Sequence, residues 1–367
     1  MRILFLNTLP VWGGCERWVV QVGRLLKDRG HHATIASWPG SITEQRAKEN
    51  DLDIFPYNLR ADVAFWMIPK LVRYLKREKI DVFVGVQTRD VKIGALAAKM
   101  ARVPLIFARS GLDVVKKKFY HKLAYTKYID GITTNTHALK NVYMSYGFFK
   151  DDFIHPIHDG FEFTGDVADM SIRSELKLPD DCKVLAAVGR IAHQKGFDIL
   201  IEVARKAKSE GKNWRFVVVG TGPLEQKLIA LTRKLDVEDY IKFIGFRKDV
   251  LPIMKASDLF VLSSRSESMT NVLREAMSVH TACVTTDVMG IRGELVDHKV
   301  HGYIVEPENV DALYDGIEYV LTHPELKEKM EKNGYERVKS SFSIEGMIDQ
   351  IEQLFQGQLK LKGYEIT

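Results

Sequence analysis

The sequence predicts an α/β protein of two domains, each a parallel sheet covered by helices. Three observations carry this. Short apolar runs alternate with amphipathic stretches through the first half, the pattern of successive β and α units. At 367 residues the chain exceeds one ordinary core, and a prior of about 150 residues per domain gives two. A second series of apolar runs opens at Val184, after a stretch punctuated by Pro156 and Gly160.

Residues 3–6 read as the first strand, ending at Asn7. The run is too short for a signal peptide and no small-residue cleavage site follows it. A loop with Trp12, Gly13, Gly14 and Glu16 leads to a helix carrying Val19, Val20, Val22, Leu25 and Leu26. Strands follow at residues 34–37, 82–86 and 105–108, and helices at 63–77 and 93–100. Ligands of such sheets bind beyond the carboxyl ends of the strands, which singles out Gln87, Thr88, Arg89, Asp90, Arg109 and Ser110. The Gly13–Gly14 pair lets backbone approach a ligand, although a tight turn needs the same residues. Asp90 is equally placed to cap the following helix.

The second series runs through strands at residues 184–188, 216–219, 240–244, 259–262, 282–285 and 303–305, and is helical from Val310 onward. After the first of these come Gly189, Arg190 and, five residues beyond the arginine, Lys195, two cations suited to clamping phosphates. Solvated loop cations are the plainer reading. After the strand at 259–262, SSRSESMTNVLREAM places Glu267 and Glu275 eight positions apart across a turn and a helix start. The helix's first N–H groups are unpaired and favour an anion, while the two carboxylates can accept from hydroxyls of the same ligand. A helix-start acid and a surface acid explain them as well.

Hydrophobic content of 46% and charged content of 28% fit a soluble globular chain, and no apolar run approaches the roughly 20 residues of a spanning helix. Cys15, Cys182 and Cys283 are scattered, which fits a reducing cytoplasm and neither a disulfide framework nor a zinc site. The net charge of +5 hides an asymmetry: of 53 Lys and Arg and 48 Asp and Glu, residues 1–158 hold 25 and 14, leaving 28 and 34 for the remainder. Lys116, Lys117, Lys118, Lys122 and Lys127 are interleaved with aromatic residues. A solvated face is the default for such a run, and an anionic membrane surface is the second reading. No nucleic-acid module accompanies the patch, so nucleic acid ranks last. Asp51 and Asp53 form an Asp-x-Asp beside an apolar run and read as surface, not as a metal site; His155 and His158 read as hinge residues.

Glu267, Asn271, Val272, Leu273, Glu275, Ala276 and Met277, with Gly189, Arg190, Lys195 and Gly196 ahead of them, resemble the E-x7-E and GR-x4-KG signatures of retaining glycosyltransferase family 4, the glycosyl transferases group 1. The turn Gly220 to Pro223 and the pair His301–Gly302 are similar as well. The likeness covers nearly all of residues 180–340 and residues 1–150 more thinly. Two usual glycines are replaced by Ser268 and Thr270, and the usual histidines of the first half are absent, with Asp90 and Arg109 as substitutes.

The resemblance implies a GT-B fold, two Rossmann-like domains facing across a cleft. Residues 1–158 would bind the acceptor, completed by a C-terminal helix at about 345–367, with the hinge near 157–165; residues 159–344 would bind a nucleotide diphosphate sugar. It implies a hexosyltransferase using a UDP- or GDP-sugar to glycosylate a hydroxyl of a glycan or lipid-linked acceptor in cell-envelope polysaccharide or lipopolysaccharide synthesis. Arg190, Lys195, Glu267 and Asp90 are its expected catalytic residues. Glu275, Gly13, Gly14, Gly189, Phe246, Thr270, Asn271, Val272 and Leu273 are the expected donor contacts, and Arg89 and Arg109 lie on the acceptor side. No cofactor or metal is expected, and the location is cytoplasmic, peripheral at the inner face of the membrane. Two rivals share the architecture: a nucleotide-sugar epimerase with hydrolytic chemistry, and a noncatalytic nucleotide-sugar binder.

Overall fold

A computed structural model describes residues 1–59, 64–111, 122–163 and 167–364, and they divide into two units, Met1–Gly160 with Ile344–Thr367 and Phe161–Ser343. In the first unit the apolar runs become β1 (Arg2–Asn7), β2 (His32–Ser37), β3 (Asp53–Pro56), β4 (Val82–Gly85), β5 (Leu105–Ser110), β6 (Gly131–Thr134) and β7 (Ile154–Pro156). The helices are α1 (Gly14–Asp28), α2 (Ile42–Glu49), α3 (Ile68–Arg77), α4 (Thr88–Ala101) and α5 (His137–Met144). The strand order is β3-β2-β1-β4-β5-β6-β7, all parallel. Parallel strands covered on both faces read as continuous apolar runs, and every residue of β4 and β5 is buried. The chain winds outward from β1 to β3 and returns to β4 on the other side. The carboxyl ends of β1 and β4, where Leu6 pairs with Gly85, therefore flank a switch point, where open sheets hold ligands.

Three strands went unread in the sequence. β3 carries a proline and β6 follows the basic stretch. β7 ends in Pro156, whose missing N–H a sheet edge tolerates; His155 is therefore a strand residue, its ring tilted against that of Phe107 with centroids 5.7 Å apart, not part of a hinge. The helix expected from residue 63, which lies outside the described residues, begins at Ile68 after a 3₁₀ turn, Phe65–Met67. Pro69 fits only the first turn of a helix, so it fixes that start.

The second unit holds α6 (Ile172–Glu175), β8 (Lys183–Val188), α7 (Phe197–Ser209), β9 (Trp214–Val219), α8 (Glu225–Lys234), β10 (Ile241–Phe243), α9 (Val250–Lys255), β11 (Leu259–Leu262), α10 (Asn271–Ser278), β12 (Cys283–Thr286), β13 (Tyr303–Val305), α11 (Val310–Thr322) and α12 (Pro324–Ser341). Its order is β10-β9-β8-β11-β12-β13, again parallel. The winding reverses between β8 and β11, so the loops carrying Lys195 and Glu267 emerge side by side at a second switch point. Buried side chains cover both faces of the sheet, Leu185, Phe216 and Val261 on one and Ala186, Val217 and Phe260 on the other.

The last helix, α13 (Ile344–Leu361), belongs to the first unit. Its buried stripe of Met347, Ile348, Ile351, Phe355 and Leu359 recurs at helical spacing and packs with Phe5, Trp18 and Phe107.

Candidate functional site

In the second unit, β8 ends at Val188 and the chain passes through Gly189, exposed Arg190 and a 3₁₀ turn, His193–Lys195, into α7. Beyond β11, Ser263 to Thr270 lead into α10. The loops are in backbone contact: Gly196 has φ of +65°, and a Cβ there would lie 2.1 Å from the Ser263 carbonyl oxygen. Only glycine meets both demands. A Cβ on Gly189 would meet the Lys195 stem at 3.3 Å. The lysine thus lies across a glycine and reaches Glu267, Nζ to Oε1 2.6 Å. Ser264 Oγ donates to the same oxygen at 2.7 Å. The Arg190 side chain makes no ion pair among the described residues.

Thr270 caps α10 without a side-chain cap bond, and its buried hydroxyl has no partner among the described residues. Asn271 is exposed and accepts from Arg274. Glu275 stands about one turn into α10, half-buried. Phe246 projects from the loop after β10 with 71% of its surface exposed. Leu273 is fully buried in the core and half-buried Val272 packs against the same core, so what either offers a donor is its backbone N–H in the first turn of α10. The sequence also gave no sign that Arg274, inside the motif, is buried, its guanidinium over Phe342 at 5.8 Å.

In the first unit a cavity of about 220 Å³ lies at the carboxyl ends of β1, β4 and β5, with Gly14, Glu16, Gln87, Thr88, Arg109 and Ser110 in its wall. Gly13 is the N-cap of α1 and a Cβ on Gly14 would meet nothing, so Gly14 is not demanded by packing. Arg109 is 6% exposed, stacked over Trp18 at 4.2 Å and bonded to Asp159 at 2.6 Å. Arg89 donates to the Thr8 carbonyl at 3.1 Å.

Asp90, expected among the catalytic groups, takes the helix-capping place that its position also allowed. It is fully buried, accepts from Thr8 Oγ1 at 2.5 Å and from the Thr8 and Gln87 amides at 3.2 Å, and closes a capping box on α4. Burial pushes its carboxyl up to about 7, partly opposed by the Thr8 hydrogen bonds. A carboxyl so enclosed ties the β1 loop to α4.

Glu16 was missed as a site residue. It is 3% exposed, accepts from Asn7 Nδ2 at 3.0 Å through Oε1, and lines the cavity. Its place two residues after the glycine pair was the available signal. Lys122 and Lys127 are exposed, whereas Lys116, Lys117 and Lys118 lie outside the described residues. Asp51 and Asp53 pair with Lys27 and His32. Among the described residues no helix is long and apolar enough to cross a membrane.

Residues 169–337 match the family model of glycosyl transferases group 1, and residues 12–163 that of glycosyltransferase family 4. An uncharacterized glycosyltransferase of Haemophilus influenzae is 24% identical over 358 residues, 94% of this chain and 97% of its own. The lipopolysaccharide core biosynthesis glycosyltransferase LpsE of Rhizobium meliloti is 27% identical over 347 residues, 93% of this chain and 95% of its own. Among solved structures, Anabaena HepE in complex with UDP superposes with a TM-score of 0.85 at 19% identity, covering 97% of this chain and all of that one; the same protein has been solved with UDP-glucose. The fold is GT-B, and the chain belongs to the group 1, family 4 glycosyltransferases.

Proposed function

We propose that the enzyme transfers a sugar from a nucleotide diphosphate sugar, a UDP- or GDP-sugar, to a hydroxyl of a glycan or lipid-linked acceptor, with retention of anomeric configuration. The observation that carries this is the meeting of Lys195 and Glu267 at the β8/β11 switch point. A diphosphate there is met by Lys195, by exposed Arg190 and by the N-terminus of α10. Cations and helix ends aimed at developing charge supply a large part of catalysis. Glu267 holds hydroxyls of the sugar and Glu275 those of the ribose. The acceptor oxygen bonds to the anomeric carbon on the face the diphosphate leaves. The carbon–oxygen bond to phosphate breaks with its electron pair, and the acceptor's proton passes to a diphosphate oxygen. This scheme needs no metal. HepE's complexes with UDP and UDP-glucose support a nucleotide-sugar donor, and LpsE supports a role in cell-envelope lipopolysaccharide or polysaccharide synthesis.

The cavity of the first unit offers Glu16, Gln87, Thr88 and Ser110 to hydroxyls of the acceptor. A cytoplasmic, peripheral place at an anionic membrane surface suits exposed Lys122 and Lys127, the cations Lys70, Arg73, Lys76 and Arg77 of acid-free α3, and the exposed pair Phe65 and Trp66 beside it. Cosedimentation with phosphatidylglycerol vesicles but not phosphatidylcholine vesicles, weakened by Trp66→Ser, is the expected result; equal partition to both would remove the surface.

The deciding experiment screens UDP-, GDP- and ADP-sugars by thermal shift, wild type against Glu275→Ala. It then follows the anomeric proton of the product by NMR. A shift with one donor, lost in the variant, followed by retained configuration supports the reading. An inverted product would exclude the mechanism, and no shift with any donor would exclude the donor site.

A further inference from the structure

Five hydrogen bonds stitch the phosphate-side loop to the acid-side loop. The Arg265 amide donates to the Gln194 carbonyl at 2.7 Å, Gln194 Nε2 to the Ser266 carbonyl at 2.7 Å, Ser263 Oγ to the Lys195 carbonyl at 2.9 Å, Lys195 Nζ to Glu267 at 2.6 Å, and Arg265 Nη1 to the His193 carbonyl at 2.8 Å. The Arg265 side chain is the hub. It takes Asp198 in a bidentate pair, Nη1 to Oδ1 2.9 Å and Nη2 to Oδ2 2.7 Å, and its Nε reaches Glu308 at 2.9 Å. Its guanidinium is thus spent on the protein, with 15% of the side chain exposed. Asp198 stands three residues after Lys195 at the start of α7, and Arg265 two residues before Glu267. The hydrogen bond from Arg265 is also the chief cause that holds the Asp198 carboxyl below its usual range.

We infer that Arg265, through Asp198, is a positioning residue that fixes the distance between Lys195 and Glu267. It touches no substrate. Its bidentate fork sets where one loop lies against the other, and a misplacement of about 1 Å at reacting groups costs up to about 100-fold in rate. A lysine in its place keeps the charge but loses the fork.

This rests on the reading of Lys195 and Glu267 as donor contacts, so Lys195→Ala is run beside Arg265→Ala, Arg265→Lys and Asp198→Asn, alone and with Arg265→Ala. Turnover is read as nucleoside diphosphate released from UDP-glucose and GDP-mannose well below each variant's melting temperature. UDP and GDP affinity is read by calorimetry, and loop order by hydrogen exchange. Arg265→Ala should lower kcat 10-fold or more while nucleotide affinity changes less than about 3-fold. Arg265→Lys should recover only part, and Asp198→Asn should add little to Arg265→Ala. Exchange should rise at the amides of residues 193–196 and 263–267 and not in β8 and β11. Unchanged kcat in folded Arg265→Ala with Lys195→Ala inactive would overturn the inference alone. Full turnover in Lys195→Ala would overturn the donor-site reading beneath it. Where wild type releases neither nucleotide, exchange decides: unaltered loops in Arg265→Ala reject the positioning role.

Discussion

Lys195 Nζ lies 2.6 Å from Glu267 Oε1 although the residues stand 72 positions apart, and both side chains are largely withdrawn from solvent. On the proposed donor site, an entering diphosphate draws the lysine's N–H groups toward itself and leaves Glu267 the Ser264 hydroxyl. On that proposal the carboxylate competes with the donor for the cation.

That competition separates two variants. Lys195→Ala removes a cation from the leaving group and should lower turnover about 100-fold or more. Glu267→Gln releases the lysine, so UDP affinity should hold or rise while turnover falls. Initial rates and a UDP titration check both; weaker UDP binding in Glu267→Gln would show that the ion pair assists the nucleotide.

Asp90 gives a pH dependence located in the first unit. Its folded-state value of about 7 lies above the ordinary carboxyl value near 4. Between these values the folded state binds the extra proton, so the contribution is fully present below about pH 4 and is lost as pH rises through 7. Asp90→Asn should flatten the decline in stability between about pH 4 and 7, a slope of at most about 1.4 kcal/mol per pH unit. Urea denaturation of both proteins across that range is the measurement, and an equal slope in the variant would assign the dependence elsewhere.

Both strands that bear the site were legible because β8 and β11 are unbroken apolar runs, and Arg190, Lys195 and Glu267 followed from standing just beyond them. Their mutual contact was not, since pairing across 72 residues depends on which strands neighbour in the sheet. Asp90 shows the converse: the same position beyond β4 fitted a catalytic group and a helix cap, and only burial separates them. Arg274 defied the rule that a helical charge faces water, because Asn271 and Phe342 receive its guanidinium. In the first unit β6 and β7 went unread because they are short and Pro156 closes the second.

Gly196 tests how closely the loops must approach. Alanine there faces a left-handed backbone and the Ser263 carbonyl oxygen 2.1 Å from its Cβ. The strain is roughly 1–3 kcal/mol, and relief requires the loops to part. Gly196→Ala should therefore lose stability in urea by about that amount and lose turnover in the fraction that remains folded. Wild-type turnover in a destabilised variant would mean that loop spacing does not limit the chemistry.

Phe355 tests the dependence of the first unit on the end of the chain. It is 2% exposed on α13, and its ring meets Phe107 of β5 at 5.6 Å, edge to face. Truncating a buried phenylalanine costs about 3–5 kcal/mol, and the loss falls on the unit that holds Glu16 and Arg109. Arg190, Lys195 and Glu267 belong to the other unit. Phe355→Ala should thus move the first unit's urea transition to lower denaturant and leave UDP affinity unchanged below that transition. Because a donor site confined to the second unit gains nothing from α13, a parallel loss of UDP binding in the folded variant would show that the first unit shares in holding the nucleotide.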